Sequence, residues 1–239
     1  MALAGKGAII IWNDIAPEGR DEFYDWHIRE HIPERLGIPG FLRGARYIAI
    51  SPQTRPEFLT LYEIADASVA TSAAYLARLN APTEWTKRAT LHFRNTARAL
   101  TEVLLSEGAG SGGVIATIRF EDTDRAAAAL AKVREQHAAL TQAAKLPQIS
   151  GVHLCATNNV ASAAKTTESR GRTDIVPAPI GALLIEGCDV PALEMAVTSL
   201  LKLAQADSGQ LLVGYYRLEY ARINFLHRTA SSDPKENIA

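Results

Sequence analysis

The sequence predicts an α+β fold in which two split βαβ halves pack sheet to sheet as a single-chain α/β barrel. Three observations lead to this prediction. The order strand, helix, strand, strand, helix, strand occurs twice along the 239 residues. A segment rich in glycine and serine, residues 106–113, separates the two copies. Strands such as residues 8–12 are apolar on both alternating faces, so each sheet must be covered on both sides.

The elements of the first half follow from hydrophobic periodicity and from helix-breaking residues. Pro17 opens the first helix, because proline is favoured in a first helical turn, and Asp66 or Ser68 caps the second. The predicted strands are residues 7–13, 41–50, 58–64 and 91–103, and the predicted helices are residues 17–31 and 66–80.

The second half repeats this order of elements, and short stretches of similar sequence recur with it. Residues 29–31 resemble residues 134–137, and residues 38–41 resemble residues 146–149. A period near half the chain indicates internal duplication. The predicted strands are residues 114–120, 152–157, 180–186 and 210–223, and the predicted helices are residues 124–145 and 190–206. The expected division is an N-terminal half with the site (1–105), a linker (106–113), a C-terminal half (114–228) and a disordered tail (229–239).

Bulk composition excludes several classes of function. The 25 basic and 26 acidic residues nearly cancel, and no long basic run occurs, so nucleic acid is not an expected partner. No apolar run approaches the roughly 20 residues that span a bilayer. The N-terminus lacks the layout of a secretory signal, so we expect a cytoplasmic protein in which Cys155 and Cys188 are buried, reduced thiols.

The most informative segment is residues 26–41, which places His27 and His31 four apart on the first predicted helix and then interrupts it with Pro33. Imidazole titrates nearest neutrality, so a held histidine can both take and give a proton. Proline lacks an N–H and crowds the preceding turn, so the helix should kink or end near Ile32. Exposed carbonyls there would favour a protonated His31, whereas burial would oppose it, and together they could leave this group titrating near neutrality.

A helical wheel of 100° per residue gives an expectation for the orientation of this helix. It predicts an apolar stripe of Tyr24, Ile28 and Ile32 against the sheet, with His31 beside the stripe and His27 nearer the rim. The alternative for His31 is a structural role in capping the helix end. His27 and Asp14 are further catalytic candidates, although Asp14 could equally cap the turn before Pro17.

With these residues the chain resembles the EthD-like members of the dimeric α/β-barrel superfamily, whose unit is a ferredoxin-like fold. The resemblance rests on Trp26, Glu30-His31, Pro33 and residues 39–41, and on the doubled element order. It implies two fused ferredoxin-like halves, and therefore a pseudo-dimeric barrel with a pocket; a homodimer of such chains is possible. The second half departs from the motif, because Ala138 and Ala139 stand where the proline would follow His137.

Further polar and aromatic residues on the predicted strands are candidates for substrate binding. Asn13 follows a buried alternation at the end of the first strand, and Arg46 lies on the face opposite Tyr47. The alternative for Tyr62 is core packing, and for Arg94 and Arg98 it is a solvated sheet edge. The substrate-binding candidates are Asn13, Trp12, Arg46, Tyr62, His92 and Asn95.

Three hypotheses for function follow. The first is a cofactor-independent lyase, isomerase or cyclase for a small cyclic or aromatic metabolite, with His31 as general acid and base and Asn13 holding an oxyanion. The second is a non-catalytic module that binds a small molecule or haem. The third is a metal-dependent hydrolase through His27 and His31, since residues 27–31 match the H-x-x-E-H pattern, although Pro33 interrupts such a metal-binding helix.

No glycine-rich nucleotide fingerprint or nucleophile elbow occurs, so neither NAD nor FAD is expected, and the first hypothesis needs no cofactor. The long segment 158–179 is either a lid over the pocket of the other half or disordered. One working pocket is expected, in the N-terminal half.

Overall fold

A computed structural model describes residues 3–205 and 211–224 of the chain. The predicted tail, residues 229–239, and residue 210 at the start of the last predicted strand lie outside these residues. Within them the chain forms eight strands: β1 (Gly7–Ile15), β2 (Phe41–Ala49), β3 (Phe58–Ile64), β4 (Phe93–Gly108), β5 (Val114–Phe120), β6 (Ile149–Thr157), β7 (Gly181–Gly187) and β8 (Leu212–Ile223).

The helices pack on the outer face of the strands. Most of them begin at a residue whose side chain caps the first turn. Thr123 and Asp189, for example, accept hydrogen bonds from backbone N–H groups three residues later. The helices are α1 (Arg20–Trp26), a π-helical segment (His27–His31), α2 (Ile32–Leu36), α3 (Ala73–Asn80), α4 (Glu84–Ala89), α5 (Asp124–Glu135), α6 (His137–Ala143), α7 (Asn159–Ala163) and α8 (Val190–Leu203).

The eight strands close into one antiparallel barrel in the order β1-β3-β2-β8-β5-β7-β6-β4. The first four strands alone read β4-β1-β3-β2 and the last four read β8-β5-β7-β6, which is the same pattern. The two halves are joined by two strand pairs, β2 with β8 and β6 with β4. These pairs are equivalent, because β2 corresponds to β6 and β8 corresponds to β4. We expected two separate sheets facing each other as a barrel; the barrel is present, but its eight strands pair into one closed sheet. Each of the eight described strands therefore has a neighbour on both sides.

Three apolar layers hold the molecule together. The barrel interior contains small and aromatic side chains from both halves, including Ala8, Trp12 and Tyr216. Outside the barrel, α5, α6 and α8 pack on the second half through one continuous apolar core, and α1 to α4 pack on the first half through two smaller clusters.

No helix among the described residues is long and apolar enough to cross a membrane. Both cysteines are free; Cys155 is buried, and the expectation of burial was wrong for Cys188, which is exposed.

Element boundaries differ from the predictions at several places. The first helix continues to Leu36, α4 was not predicted, and the helix expected over residues 124–145 is interrupted at Gln136. The strand β4 runs to Gly108, so the first three residues of the predicted linker pair with β6.

The turns that precede β2 and β6 share a backbone conformation. Gly40 has φ +92° and Gln148 has φ +63°, and both follow a proline. A left-handed residue reverses the chain after a helix. The weak recurrence of residues 38–41 at 146–149 therefore corresponds to equivalent turns in the two halves.

Candidate functional site

The two histidines of the first half lie in a π-helical turn. The Ile32 N–H donates to the His27 carbonyl five residues earlier, so this turn holds one residue more than an α-helical turn. Pro33 then falls in the first turn of α2, where its missing N–H costs least. Of the two expected outcomes, a kink or an end near Ile32, the helix does not end there but passes the proline through this π turn. Such π turns are rare and occur frequently at functional sites.

The extra residue turns both imidazoles toward the sheet. His27 is 3% exposed and His31 is 7% exposed, whereas Ile28 is 36% exposed. The helical wheel was therefore wrong for Ile28 and for His27, which does not lie at the rim. It assumed a constant 100° per residue, and the π turn breaks that period.

Aromatic rings fix the two imidazoles. The His31 ring lies 4.2 Å from the Trp26 ring, measured between centroids, and 5.6 Å from the His27 ring. The His27 ring stacks on Phe23 at 5.0 Å. The Trp26 indole N–H donates to the Thr86 hydroxyl at 3.2 Å, which holds the indole in place.

Both histidines are held in the neutral form. Burial lowers the pKa of His31 well below its ordinary value, and the positive charge of Arg35 lowers it further. Burial lowers the pKa of His27 in the same direction, with Arg46 as the next cause. The expectation that His31 titrates near neutrality was wrong, because no helix end lies at this residue and burial is unopposed. A neutral imidazole can accept a proton.

Two buried polar atoms at this place have no hydrogen-bond partner among the described residues: the Nδ1 atom of His31 and the hydroxyl of Tyr62. The two rings are 6.5 Å apart between centroids. Burial raises the pKa of Tyr62 well above its ordinary value, so its hydroxyl remains a donor. Unsatisfied buried polar atoms are costly, and a bound molecule would satisfy both.

Arg46 joins this group from the neighbouring strand. Its Nη1 atom lies 3.5 Å from Nδ1 of His27, and its Nε donates to Glu219 at 3.2 Å. The guanidinium lies 4.4 Å from the centroid of the Tyr24 ring, whose hydroxyl also donates to Glu219. Arg46 is therefore a neutralised, fixed cation behind His27.

The other predicted site residues lie elsewhere. Trp12 points into the barrel and donates to the Thr117 hydroxyl at 3.4 Å. Asp14 accepts from the Glu57 N–H at 2.7 Å and from the exposed Asn95 at 2.9 Å, and neither bond caps the turn before Pro17 that was the alternative for this residue. His92 lies 3.8 Å from Glu22.

Asn13 is buried on the helix-covered face, paired with Phe58, and its side chain donates to the Asp14 carbonyl. The structure thus brings together His27, His31, Arg46 and Tyr62, and separates them from Trp12, Asp14, His92 and Asn95.

Residues 158–179 of the second half lie against the first half. Glu168 pairs with the buried Arg35 at 2.5 Å, and the Glu168 N–H donates to the Leu79 carbonyl. Arg172 lies 5.1 Å from the centroid of the Phe93 ring. The two alternatives for this segment were a lid and disorder, and the described contacts favour a lid. We call residues 158–179 the strap, because they lie across the first half.

Sequence reasoning missed Arg35, Arg172 and Glu219. Arg35 lies four residues beyond the end of the predicted helix 17–31, and the other two come from the second half, so no local pattern connects them with His31. Arg98 was assigned to a solvated edge, yet it is only partly exposed.

Two ligands suggested by the sequence were tested against these residues. Among the described residues, no group of three His, Cys, Asp or Glu side chains could hold a metal ion. Haem ligation by His31 is not favoured, because this side chain is 7% exposed and the Trp26 ring covers one side of it at 4.2 Å. In the second half, His137 is exposed and apolar side chains fill the space between helices and sheet.

Two surface clefts lie away from the imidazoles. One of about 400 Å³ is lined by residues that include Glu34, Ile38 and Arg78, and one of about 160 Å³ by residues that include Ala67 and Asn158. Neither contains the unpartnered atoms of His31 and Tyr62, so we place the candidate site at those atoms.

Comparison with solved structures identifies the fold. An anthrone oxidase-like protein superposes with TM-score 0.60 at 10% identity, covering 94% of this chain and 96% of that chain. A protein of Lactobacillus acidophilus NCFM assigned as a monooxygenase superposes with TM-score 0.55 at 10% identity, covering 91% and 96%. One of Fusobacterium nucleatum with the same assignment gives TM-score 0.53 at 8% identity, covering 92% and 96%.

The fold is of the dimeric α/β-barrel type. No protein-family profile and no curated protein sequence matches the chain. At these identities the similarity concerns the fold alone, and the chemistry has to be argued from the site.

Proposed function

We propose that the protein is a cofactor-independent acid–base enzyme that removes a proton from a small cyclic or aromatic substrate in the N-terminal half. One observation carries the proposal: the neutral, buried His31 has an unpartnered Nδ1, and the unpartnered hydroxyl of Tyr62 lies beside it. A neutral imidazole is the general base, and a phenolic hydroxyl can donate to the oxygen on which negative charge develops.

The roles of the neighbouring residues follow from their contacts. Tyr62 takes the oxyanion role that we expected for Asn13, which lies further along the sheet. Trp26 and Phe93, with ring centroids 6.0 Å apart, provide apolar surface for a flat ring. His27 holds the arrangement through Arg46 and Phe23 and is a positioning residue.

Two finer assignments belong to the same proposal. The equivalent strand orders of the halves support two fused ferredoxin-like units, and Trp26, Glu30-His31 and Pro33 support an EthD-like relationship. Proton removal is compatible with a lyase, an isomerase or a cyclase. The similar structures assigned as monooxygenases favour one further outcome, reaction of the deprotonated substrate with O₂.

The experiment is solvent deuterium exchange. The purified protein in D₂O is incubated with a panel of enolisable cyclic ketones and phenols that includes anthrone, and mass spectrometry follows deuterium incorporation while an electrode follows O₂. We expect exchange with at least one compound, and a decrease of about a hundredfold or more in His31→Gln.

Tyr62→Phe should lower the rate less, and His137→Gln, the matched control in the other half, should leave it unchanged. Equal rates in wild type and His31→Gln would overturn the proposal, and so would the absence of exchange with every compound. O₂ uptake that depends on His31 would assign the oxygenation outcome.

A further inference from the structure

One arginine side chain of the first half has no partner among the described residues. Within residues 3–205 and 211–224, the side chain of Arg98 forms no hydrogen bond, ion pair or ring contact. Arginine keeps its positive charge at every physiological pH, so this guanidinium remains an uncompensated charge. A guanidinium without an acidic partner can pair with an anionic ligand, because its planar fork matches a carboxylate in two parallel hydrogen bonds.

Arg98 lies on the sheet face that the histidine helix covers. It is paired with Ile11 of β1, and on β4 it alternates with Ala97 and Ala99, which point into the barrel. Ile11 is paired in turn with Thr60, and Thr60 with Arg46. Arg98, Ile11, Thr60 and Arg46 therefore form one row across the sheet, under the helix that carries His27 and His31.

The row is partly exposed at one end. Ile11 is a large apolar residue in a central strand, paired on both sides, yet it is only partly buried, as is Arg98. Its neighbours along the strand, Ile10 and Trp12, are fully buried in the barrel. The other end of the row is covered, because Thr60 and Arg46 are each 2% exposed. Solvent therefore reaches the row at Ile11 and Arg98.

The other arginines around the space are already neutralised. Arg46 pairs with Glu219 at 3.2 Å, and Arg172 pairs with Asp174 at 2.6 Å. Arg35 pairs with Glu34 at 2.9 Å and with Glu168 at 2.5 Å. One uncompensated positive charge thus remains, which matches one carboxylate; a phosphate dianion would need a second free cation.

We infer that the substrate is a flat monocarboxylate whose carboxylate pairs with Arg98 while its ring lies over Ile11 and extends toward Trp26 and His31. This inference rests on the proposed function and adds the substrate class. The strands β3 and β4 flank β1, and Tyr62 pairs with Ile9 whereas Arg98 pairs with Ile11, so the two residues lie two strand spacings and two residues, about 12 Å, apart on the sheet. A substrate that contacts both needs a rigid apolar body between its acidic group and its reacting atom.

The test compares acids with their neutral isosteres. Isothermal calorimetry measures binding of benzoate and naphthoate against benzamide and naphthamide, with phenyl phosphate as the second anion. We expect the wild type to prefer each carboxylate over its amide by about tenfold or more, and naphthoate over benzoate. Arg98→Gln should lose the preference for the acid and keep the affinity for the amide. Arg98→Lys, which retains the charge, should keep part of the preference for the acid.

Arg94→Gln is the matched control, because Arg94 lies on the same strand and is exposed to solvent. It should bind naphthoate as the wild type does. Equal affinity for naphthoate and naphthamide, absence of naphthoate binding, or the same loss in both arginine variants would overturn the inference. Tighter binding of phenyl phosphate that depends on Arg98 would replace the carboxylate by a phosphate ester.

The selectivity for acids over amides is measured independently of the proton transfer by His31. His31→Gln should bind naphthoate with the wild-type preference, because Arg98 is intact. If acid selectivity persists while deuterium exchange is insensitive to His31, the substrate class stands and the acid–base role fails. If exchange requires His31 while selectivity is missing, the acid–base role stands and the substrate class fails.

Discussion

The imidazole ring of His31 lies 4.2 Å from the indole ring of Trp26, with 33° between the ring planes. The indole is itself fixed, because its N–H donates to Thr86, and Thr86 in turn contacts Glu30 and Thr83. This contact excludes water from one side of the imidazole and sets its direction. The buried base is thus oriented by an aromatic wall instead of by a carboxylate.

The pH profile of catalysis should reflect the neutral state of His31. Burial and Arg35 lower the pKa of His31 well below 6.5, so the base form already predominates at pH 6.5. We expect the deuterium-exchange rate constant to stay constant between about pH 6.5 and about pH 8 and to fall only in more acidic solution. Rates at saturating substrate measure this. Tyr62→Phe should lower the plateau without moving the acidic limb, and a limb at or above pH 6.5 would contradict the assignment.

The stability of the fold should decrease in mildly acidic solution. His27 and His31 have a lowered pKa when folded, whereas the unfolded chain binds protons near its ordinary pKa of 6.5. The unfolded state therefore binds more protons below pH 6.5, and the free energy of unfolding falls as the pH falls from there toward the folded pKa values. Each histidine contributes up to about 1.4 kcal/mol per pH unit in this window. Stability above about pH 7 is unaffected by this linkage.

Urea unfolding at about pH 7.5 and about pH 5.5 measures this effect. His31→Gln should show a smaller difference between the two pH values than the wild type does, because one of the two linked protons is removed. The exposed His137→Gln is the control and should behave as the wild type. The linkage would be contradicted if the free energies of unfolding of wild type and His31→Gln differed by the same amount at both pH values.

The strap from the second half should be held mainly by Arg35 and Glu168. Arg35 is 2% exposed, and Glu168→Gln would leave it with Glu34 alone. We expect a loss of about 1–3 kcal/mol in the free energy of unfolding, together with faster proteolysis within residues 158–179. The exposed Glu135→Gln is the control. Wild-type proteolysis of the strap in Glu168→Gln would show that other contacts hold it.

The sequence allowed the element order to be predicted because each strand carries its own hydrophobic signal, whereas the site depended on interactions that no local pattern contains. Pro33 was expected to kink or end the helix, and a π turn carries the helix past it. Arg98 was expected at a solvated sheet edge and is partly exposed, but the strap, which contacts β4 nearby through the backbone pairing of Thr96 with Ile175, had no local signal. The π turn and the strap both depend on contacts that a local pattern does not contain.

The two halves should differ in function although their strand orders match. In the first half the π turn buries His31 beside Tyr62, whereas in the second half His137 begins the short helix α6 and is exposed. The space between helices and sheet in the second half contains apolar side chains such as Leu140, Leu193 and Leu200. We therefore expect one site per chain. Calorimetric titration with naphthoate should give a stoichiometry near one, unchanged in His137→Ala. A stoichiometry of two, or a loss of affinity in His137→Ala, would place a second working pocket in the C-terminal half.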